Sequence, residues 1–174
     1  MVKVAVLIAN GTEEIEALTP VDVLRRAGVE CDLVSVNGTY PIGSHGITVK
    51  EDKTIDDVDL LAYGAIVVPG GMPGATNIAD NSKVINALKN AMQKNKVVAA
   101  ICASPAVVLA TSGFIDGKTA TCYPAQAFIE MMSVTNYTGA DVEVDGNVIT
   151  ANGPKSAMKF ALAICQKLGV NPKF

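Results

Sequence analysis

The stretch VVAAICASPAVVLA, residues 97–110, decides how this chain is read. Its first half is a β-branched apolar run and its second half is rich in small residues at helical spacing. Cys102 lies at the seam. A strand that feeds straight into a helix is the repeating unit of α/β proteins. A cysteine at such a seam has two readings: a buried structural thiol, since free Cys is among the residue types most often fully inside, or a nucleophile held out by a tight turn.

Working outward, similar apolar runs recur at residues 2–9 (VKVAVLIA), 31–36 (CDLVSV) and 64–71 (GAIVVPGG). Runs this continuous are what a parallel strand buried on both faces requires. Between them lie helical patterns, LTPVDVLRRAG at 18–28 and NSKVINALKNAMQKN at 81–95. In the first, Thr19 suits the cap, Pro20 the first helical position and Gly28 the stop. The alternation predicts a flavodoxin-like three-layer sandwich, a mostly parallel sheet with helices on both faces. Two segments fall outside it: IGSHGITVKED (42–52), a short excursion, and VEVDGNVITA (142–151), a hairpin turning on Asp145 and Gly146. A last helix is expected from Pro154 to Gly169.

The 174 residues fit one domain spanning 1–174, long enough to bury a core without staples. With a net charge of −3 and no Lys/Arg stripe, the chain lacks the electrostatic footprint of nucleic-acid binding. The N-terminal run is too short for a signal peptide and nothing approaches the length of a membrane span, so a cytoplasmic location is expected. Cys31, Cys102, Cys122 and Cys165 show no metal-ligand spacing, and His45 is the only histidine. Free thiols, no metal and no cofactor are the expectation.

In an open parallel sheet the carboxyl ends of the strands form the binding crevice. Three such ends carry chemistry: ANGTEEIE (9–16), PGGMPGATN (69–77) and CASP (102–105). At a helix start, Cys102 would feel orphan N–H groups and the positive dipole end, which favour thiolate. The glycine-rich loop is either a plain turn or a set of exposed amides for an oxyanion; it is not a phosphate loop. Glu13, Glu14 and Glu16 follow the first strand, where helix-start electrostatics also explain them, and Asn10 with Glu13 has capping-box spacing. A carboxyl in the crevice would have a raised pKa. His45, between Ser44 and Gly46 in the excursion, reads as a solvated loop residue. Cys31 and Cys165 read as core thiols, and Cys122 as either.

Taken together, the segments GTEEIEALTPVDVLRRAG, VVPGGMPGATN, VVAAICASPAVVLA and ANGPKSAMKFALAI resemble, in order and across the whole chain, the ThiJ/PfpI superfamily. The resemblance points to the branch of the parkinsonism-associated deglycase. It implies that Cys102 is the elbow nucleophile and that Glu16 is a protonated carboxyl hydrogen-bonded to it. It also implies that the backbone at Gly70, Gly71 and Ala103 holds the oxyanion, through the amides of Gly71 and Ala103. A homodimer is implied, with a small dicarbonyl or peroxide as partner and no nucleic acid or membrane. Glyoxalase or deglycase activity, peroxide sensing and chaperoning are all described for such proteins.

The chain departs from the superfamily at TCYP: where many members have a histidine beside the cysteine, it has Tyr123. Tyrosine is a poor base at neutral pH, though its hydroxyl donates hydrogen bonds. This counts against peptidase activity, and His45 would substitute only by reaching in from its loop. The sequence also ends soon after Leu168, where eukaryotic relatives continue, from which a more accessible Cys102 is expected.

Overall fold

Val4–Ile8 are all fully buried, and their side chains alternate between two separate apolar cores. A strand covered by helices on both faces needs this, hence the unbroken apolar run. The computed structural model describes residues 2–174. In chain order its elements are β1 (Val4–Ile8), α1 (Glu14–Arg26), β2 (Cys31–Ser35), β3 (Lys53–Thr54), β4 (Ala65–Val68), α2 (Gly74–Ala79), α3 (Ser82–Gln93) and β5 (Val97–Ile101). A short helical segment, Pro105–Ala110, precedes β6 (Thr119–Ala120), α4 (Gln126–Met131), β7 (Asn136–Tyr137), β8 (Val142–Asp145), β9 (Val148–Ala151) and α5 (Ala157–Leu168).

The main sheet runs β3-β2-β1-β4-β5-β9-β8, parallel throughout except for the antiparallel β8 edge. Without the short β3 this is the flavodoxin-like order, with the order of strand addition reversing between β1 and β4. One core, under α1 and α5, holds Val4, Val6, Ile8, Leu24 and Phe160. The other, under α2, α3 and the segment after Cys102, holds Ala5, Leu7, Ile78, Leu88 and Leu109. The strand runs expected from sequence, the hairpin on Asp145 and Gly146, and the Gly169 stop in the left-handed conformation are all present.

Three local expectations are corrected. Helix α1 begins at Glu14, five residues before the expected start at Thr19 and Pro20, so Pro20 lies inside the helix. The Glu13 carboxylate caps it by accepting from the Ile15 amide, and the buried side of the helix runs through Glu16, Ala17, Pro20 and Leu24. Packing of that side outweighs the lost hydrogen bond from residue 20 to the Glu16 carbonyl. The Asn10–Glu13 box does not form, because the Asn10 side chain accepts from the Ile42 amide at 3.0 Å and so ties down the excursion. The third concerns β9, which is an interior strand paired in parallel with β5; of the hairpin's two strands only β8 lies at an edge. The stop at Gly28 is as expected: φ is +76°, and the amides of Gly28 and Val29 return to the carbonyls of Arg25 and Leu24, closing a Schellman motif. No helix among the described residues is long and apolar enough to cross a membrane.

Candidate active site

Residues 11–13, 70–74 and Cys102 approach so closely that side chains are excluded between them. A β-carbon on Gly70 would lie 2.6 Å from Cβ of Cys102 and 2.7 Å from Oε2 of Glu16; one on Gly71 would lie 2.3 Å from the Glu13 nitrogen, and one on Gly74 2.5 Å from the Thr12 nitrogen. The glycines of the loop after β4 are therefore needed for close backbone approach, beyond making a turn. Hydrogen bonds join the loops: the Glu13 amide donates to the Gly70 carbonyl at 3.0 Å, and the Ser104 hydroxyl to the Pro69 carbonyl at 2.6 Å.

Cys102 has φ +65°, a left-handed conformation that costs a non-glycine residue about 1 kcal/mol or more. It is fixed from both sides, its amide donating to the Ala151 carbonyl at 2.9 Å and its carbonyl accepting from the Tyr123 amide at 2.8 Å. This is the strained strand-to-helix turn of a nucleophile elbow. The residue is half-buried, whereas Cys31, Cys122 and Cys165 are buried.

The Glu16 carboxyl is fully buried. Its Oε2 accepts from the Gly70 amide at 2.8 Å, while Oε1 makes no hydrogen bond. The Cys102 thiol and the Glu16 carboxyl are neighbours on either side of Gly70, and each shifts the other's titration. Burial pushes Glu16 up to about 7, against the bonds from Cys102 and Gly70 that favour its ionised form. Burial and the adjacent Glu16 carboxylate push Cys102 up to about 12, while the amides of Gly71 and Ala103 on the sulfur pull it down. The low thiol pKa expected from helix-start electrostatics is thus outweighed by desolvation and a neighbouring negative charge. Near neutrality the thiol keeps its proton and Glu16 lies midway between its two forms, so the pair carries at most one negative charge, and thiolate forms only as ionised Glu16 takes the proton.

The fold brings Glu16, Gly71 and Ala103 together around Cys102. Gly70 differs, because its N–H is committed to Glu16 and is not free for an oxyanion. Tyr123 joins through its backbone, and the residue as a whole is 44% exposed. His45 is not brought to the sulfur, yet it is no free loop residue either. Its amide donates to Glu14 Oε1 at 2.9 Å, and its Nδ1 lies 3.2 Å from Glu14 Oε2 and 3.3 Å from Glu13 Oε2. Burial opposes ionisation of Glu14, but its own backbone and the amides of His45 and Ile47 hold its carboxyl below 4.5. Glu13, Glu14 and His45 place ligand-type atoms within 4.8 Å of one another. The Glu14 oxygens already accept from Ser44 and from the amides of His45 and Ile47, so the trio serves to anchor the 42–47 loop.

Sequence reading missed the carboxyl end of β9, where Ala151, Asn152 and Gly153 form a wall of the site. The signal was present: VITANGP is a strand end running into a helix, like CASP. Treating the hairpin as peripheral hid it.

A flavodoxin-like sheet with a strained cysteine elbow facing a buried carboxyl defines a cysteine-elbow α/β protein. Residues 2–167 match the model of the DJ-1/PfpI family, and the chain belongs to that family. It is 37% identical over 166 residues, 95% of its length, to protein DJ-1 homolog B of Arabidopsis thaliana. It spans only 37% of that relative's length, and 42% of that of homolog A from the same plant. A protein named deglycase from Pyrococcus horikoshii is 30% identical over 152 residues, covering 87% of this chain and 90% of its own. The oxidized DJ-1 of Toxoplasma gondii superposes with a TM-score of 0.90 at 41% identity, over 97% of this chain and 91% of that one.

The raised pKa of Glu16 ties stability to pH. The folded chain holds the proton up to about pH 7, whereas an ordinary glutamate releases it near 4.5. The stability this proton confers is complete below about pH 4.5 and is lost as pH rises toward 7. In urea unfolding across this range, Glu16→Gln is expected to lose that decline and to gain on the wild type as pH rises. Parallel pH profiles would remove the raised carboxyl from the account.

Proposed function

We propose that this chain is a cytoplasmic stress-response enzyme that converts small reactive dicarbonyls to hydroxy acids, without a cofactor, through Cys102 and Glu16. The observation that carries the reading is the half-buried Cys102 thiol beside the buried Glu16 carboxyl, with the amides of Gly71 and Ala103 on the sulfur. Membership of a family with a deglycase-named relative supports the substrate class.

The thiol adds to the aldehyde carbon of methylglyoxal, its sulfur forming the C–S bond while its proton passes to Glu16. The oxygen of the hemithioacetal receives hydrogen bonds from the amides at the elbow. Glu16, having returned its proton to that oxygen, removes the hydrogen on the former aldehyde carbon to give an enediol and then reprotonates the neighbouring carbon. Water cleaves the resulting thioester to lactate and free thiol. The aldehyde carbon is oxidised and the ketone carbon reduced, so no outside redox partner enters. A carboxyl titrating at about 7 is matched to giving and taking protons near neutrality. Tyr123 is an accessory donor in this reading, and the absence of a Cys-His dyad argues against a peptidase. Lactate formation from methylglyoxal, followed enzymatically, is expected to vanish in Cys102→Ser and to fall at least about 100-fold in Glu16→Gln. A wild-type rate no greater than that of a free thiol would overturn the reading.

A second reading, a peroxide sensor, is favoured by the same reachable sulfur lying between two amides and a protonatable carboxyl, and by the oxidized state of the Toxoplasma relative. Mild peroxide would then add two oxygens to Cys102 as a sulfinate, which neutral Glu16 would stabilise. Peptide mass spectrometry is expected to find that adduct on Cys102 and not on the three buried cysteines. An unmodified Cys102 peptide would remove the sensor.

The proposal includes a homodimer. Its support is the exposed apolar side chains Ile15 and Leu18 on α1, Ile47 on the loop that Glu14 anchors, and Met158 and Leu162 on α5, which packs on α1. Sedimentation equilibrium is expected to give twice the mass of the 18.0 kDa chain, and a monomer at micromolar concentration would exclude it.

A further inference from the structure

A cavity of about 340 Å³ adjoins the elbow, lined by Tyr123, Asp141, Asn152, Lys155 and Ser156 among others. One of its lining residues is bonded to the cysteine backbone, and another follows a residue that is. The Tyr123 amide donates to the Cys102 carbonyl, and Asn152 follows Ala151, whose carbonyl accepts from the Cys102 amide.

The charges facing the cavity are unequal in their freedom. Asp141 is neutralised by Lys159, which reaches its Oδ2, and its Oδ1 accepts from Asn152 at 3.3 Å. Ser156 is occupied in donating to Asn152 Oδ1 at 2.6 Å. Lys155 forms no ion pair among the described residues. Tyr123 is 44% exposed with its ring packed near Gly153, and its hydroxyl makes no hydrogen bond to another described residue. The cavity therefore offers a free ammonium and a free hydroxyl, and its one carboxylate is already compensated. An ammonium with a neutral hydroxyl donor is the chemistry that holds a carboxylate.

We infer that the cavity beside Cys102 binds the anionic end of a small carbonyl compound, a carboxylate a few bonds from the reacting carbon, with Lys155 and Tyr123 as its donors. The inference deepens the dicarbonyl reading by selecting acidic over neutral substrates, and it rests on that reading for its substrate class. It also gives Tyr123 a role in binding, where a histidine in the same position would have been a base.

The test compares N-ethylmaleimide with 3-maleimidopropionate, the same electrophile carrying a carboxylate, at constant ionic strength, with alkylation of Cys102 resolved by peptide mass spectrometry. The rate ratio of the acidic to the neutral reagent is expected to exceed that on a free cysteine peptide by about fivefold, the size an exposed ammonium–carboxylate pair supplies. In Lys155→Met the ratio is expected to fall to the free-peptide value. Equal ratios in wild type and Lys155→Met would overturn the anion site. A second measurement does not depend on the thiol: amide NMR of Cys102→Ser titrated with propionate. Saturable shifts at Asn152, Gly153 and Lys155 that disappear in Lys155→Met would support the site even if Cys102 proved inert and the dicarbonyl reading failed. No such shifts would overturn it even if the enzyme turned over.

Discussion

Backbone meets backbone at the carboxyl ends of β1, β4 and β5, with no room for a side chain between. Gly70 lies at its centre, held between the Cys102 side chain, the Ile101 carbonyl and the Glu16 carboxyl. Any β-carbon there would push the cysteine and the carboxyl apart, and the interaction between them would go with it. The apolar cores on the two faces of the sheet exist whether or not this contact is made, but the chemistry exists only because of it. The loops at this end are accordingly locked by short hydrogen bonds, from Ser104 to Pro69 and from Glu13 to Gly70.

That proximity sets the electrostatics. A carboxyl removed from water prefers its proton, and a thiol beside a carboxylate prefers its own. Two amides on the sulfur work in the opposite direction. The result is a pair in which the carboxyl titrates near neutrality and the thiol holds its proton well above it. A permanently ionised cysteine would be more nucleophilic at rest and also more exposed to random oxidation. Under the proposed function, keeping the proton within the pair would confine reactivity to the moment when an electrophile is bound.

The surroundings modulate the pair without touching it. Glu13 raises Glu16 through its charge, and it also caps α1 and stands beside His45. Glu14, one residue along, holds the 42–47 loop against the helix start. Three glutamates within four residues thus divide the labour of one short segment: one caps, one anchors and one faces the sulfur. On the other side of the elbow, Tyr123 and the segment after β9 shape the space a substrate would enter.

The sequence by itself determined the sheet, because a strand buried on both faces must be apolar at every position and such runs are visible without any knowledge of their neighbours. It also located the strand-to-helix seam at Cys102, but whether that thiol was buried structure or held out by a tight turn was decided by the left-handed conformation of Cys102 in the folded chain. The start of α1 was not legible: Thr19 and Pro20 form a good local start signal, and only burial of Glu16, Ala17 and Pro20 against the sheet extends the helix back to Glu14. Which of three neighbouring glutamates faces Cys102 depends on the phase of that helix, so the motif's resemblance could name Glu16 but local residues could not. The placement of β9 beside β5, the commitment of the Gly70 amide to Glu16, and the rise in the thiol pKa were decided by tertiary structure alone. Each is a contact between segments more than 30 residues apart, and desolvation at such a contact is a property of everything that packs around it.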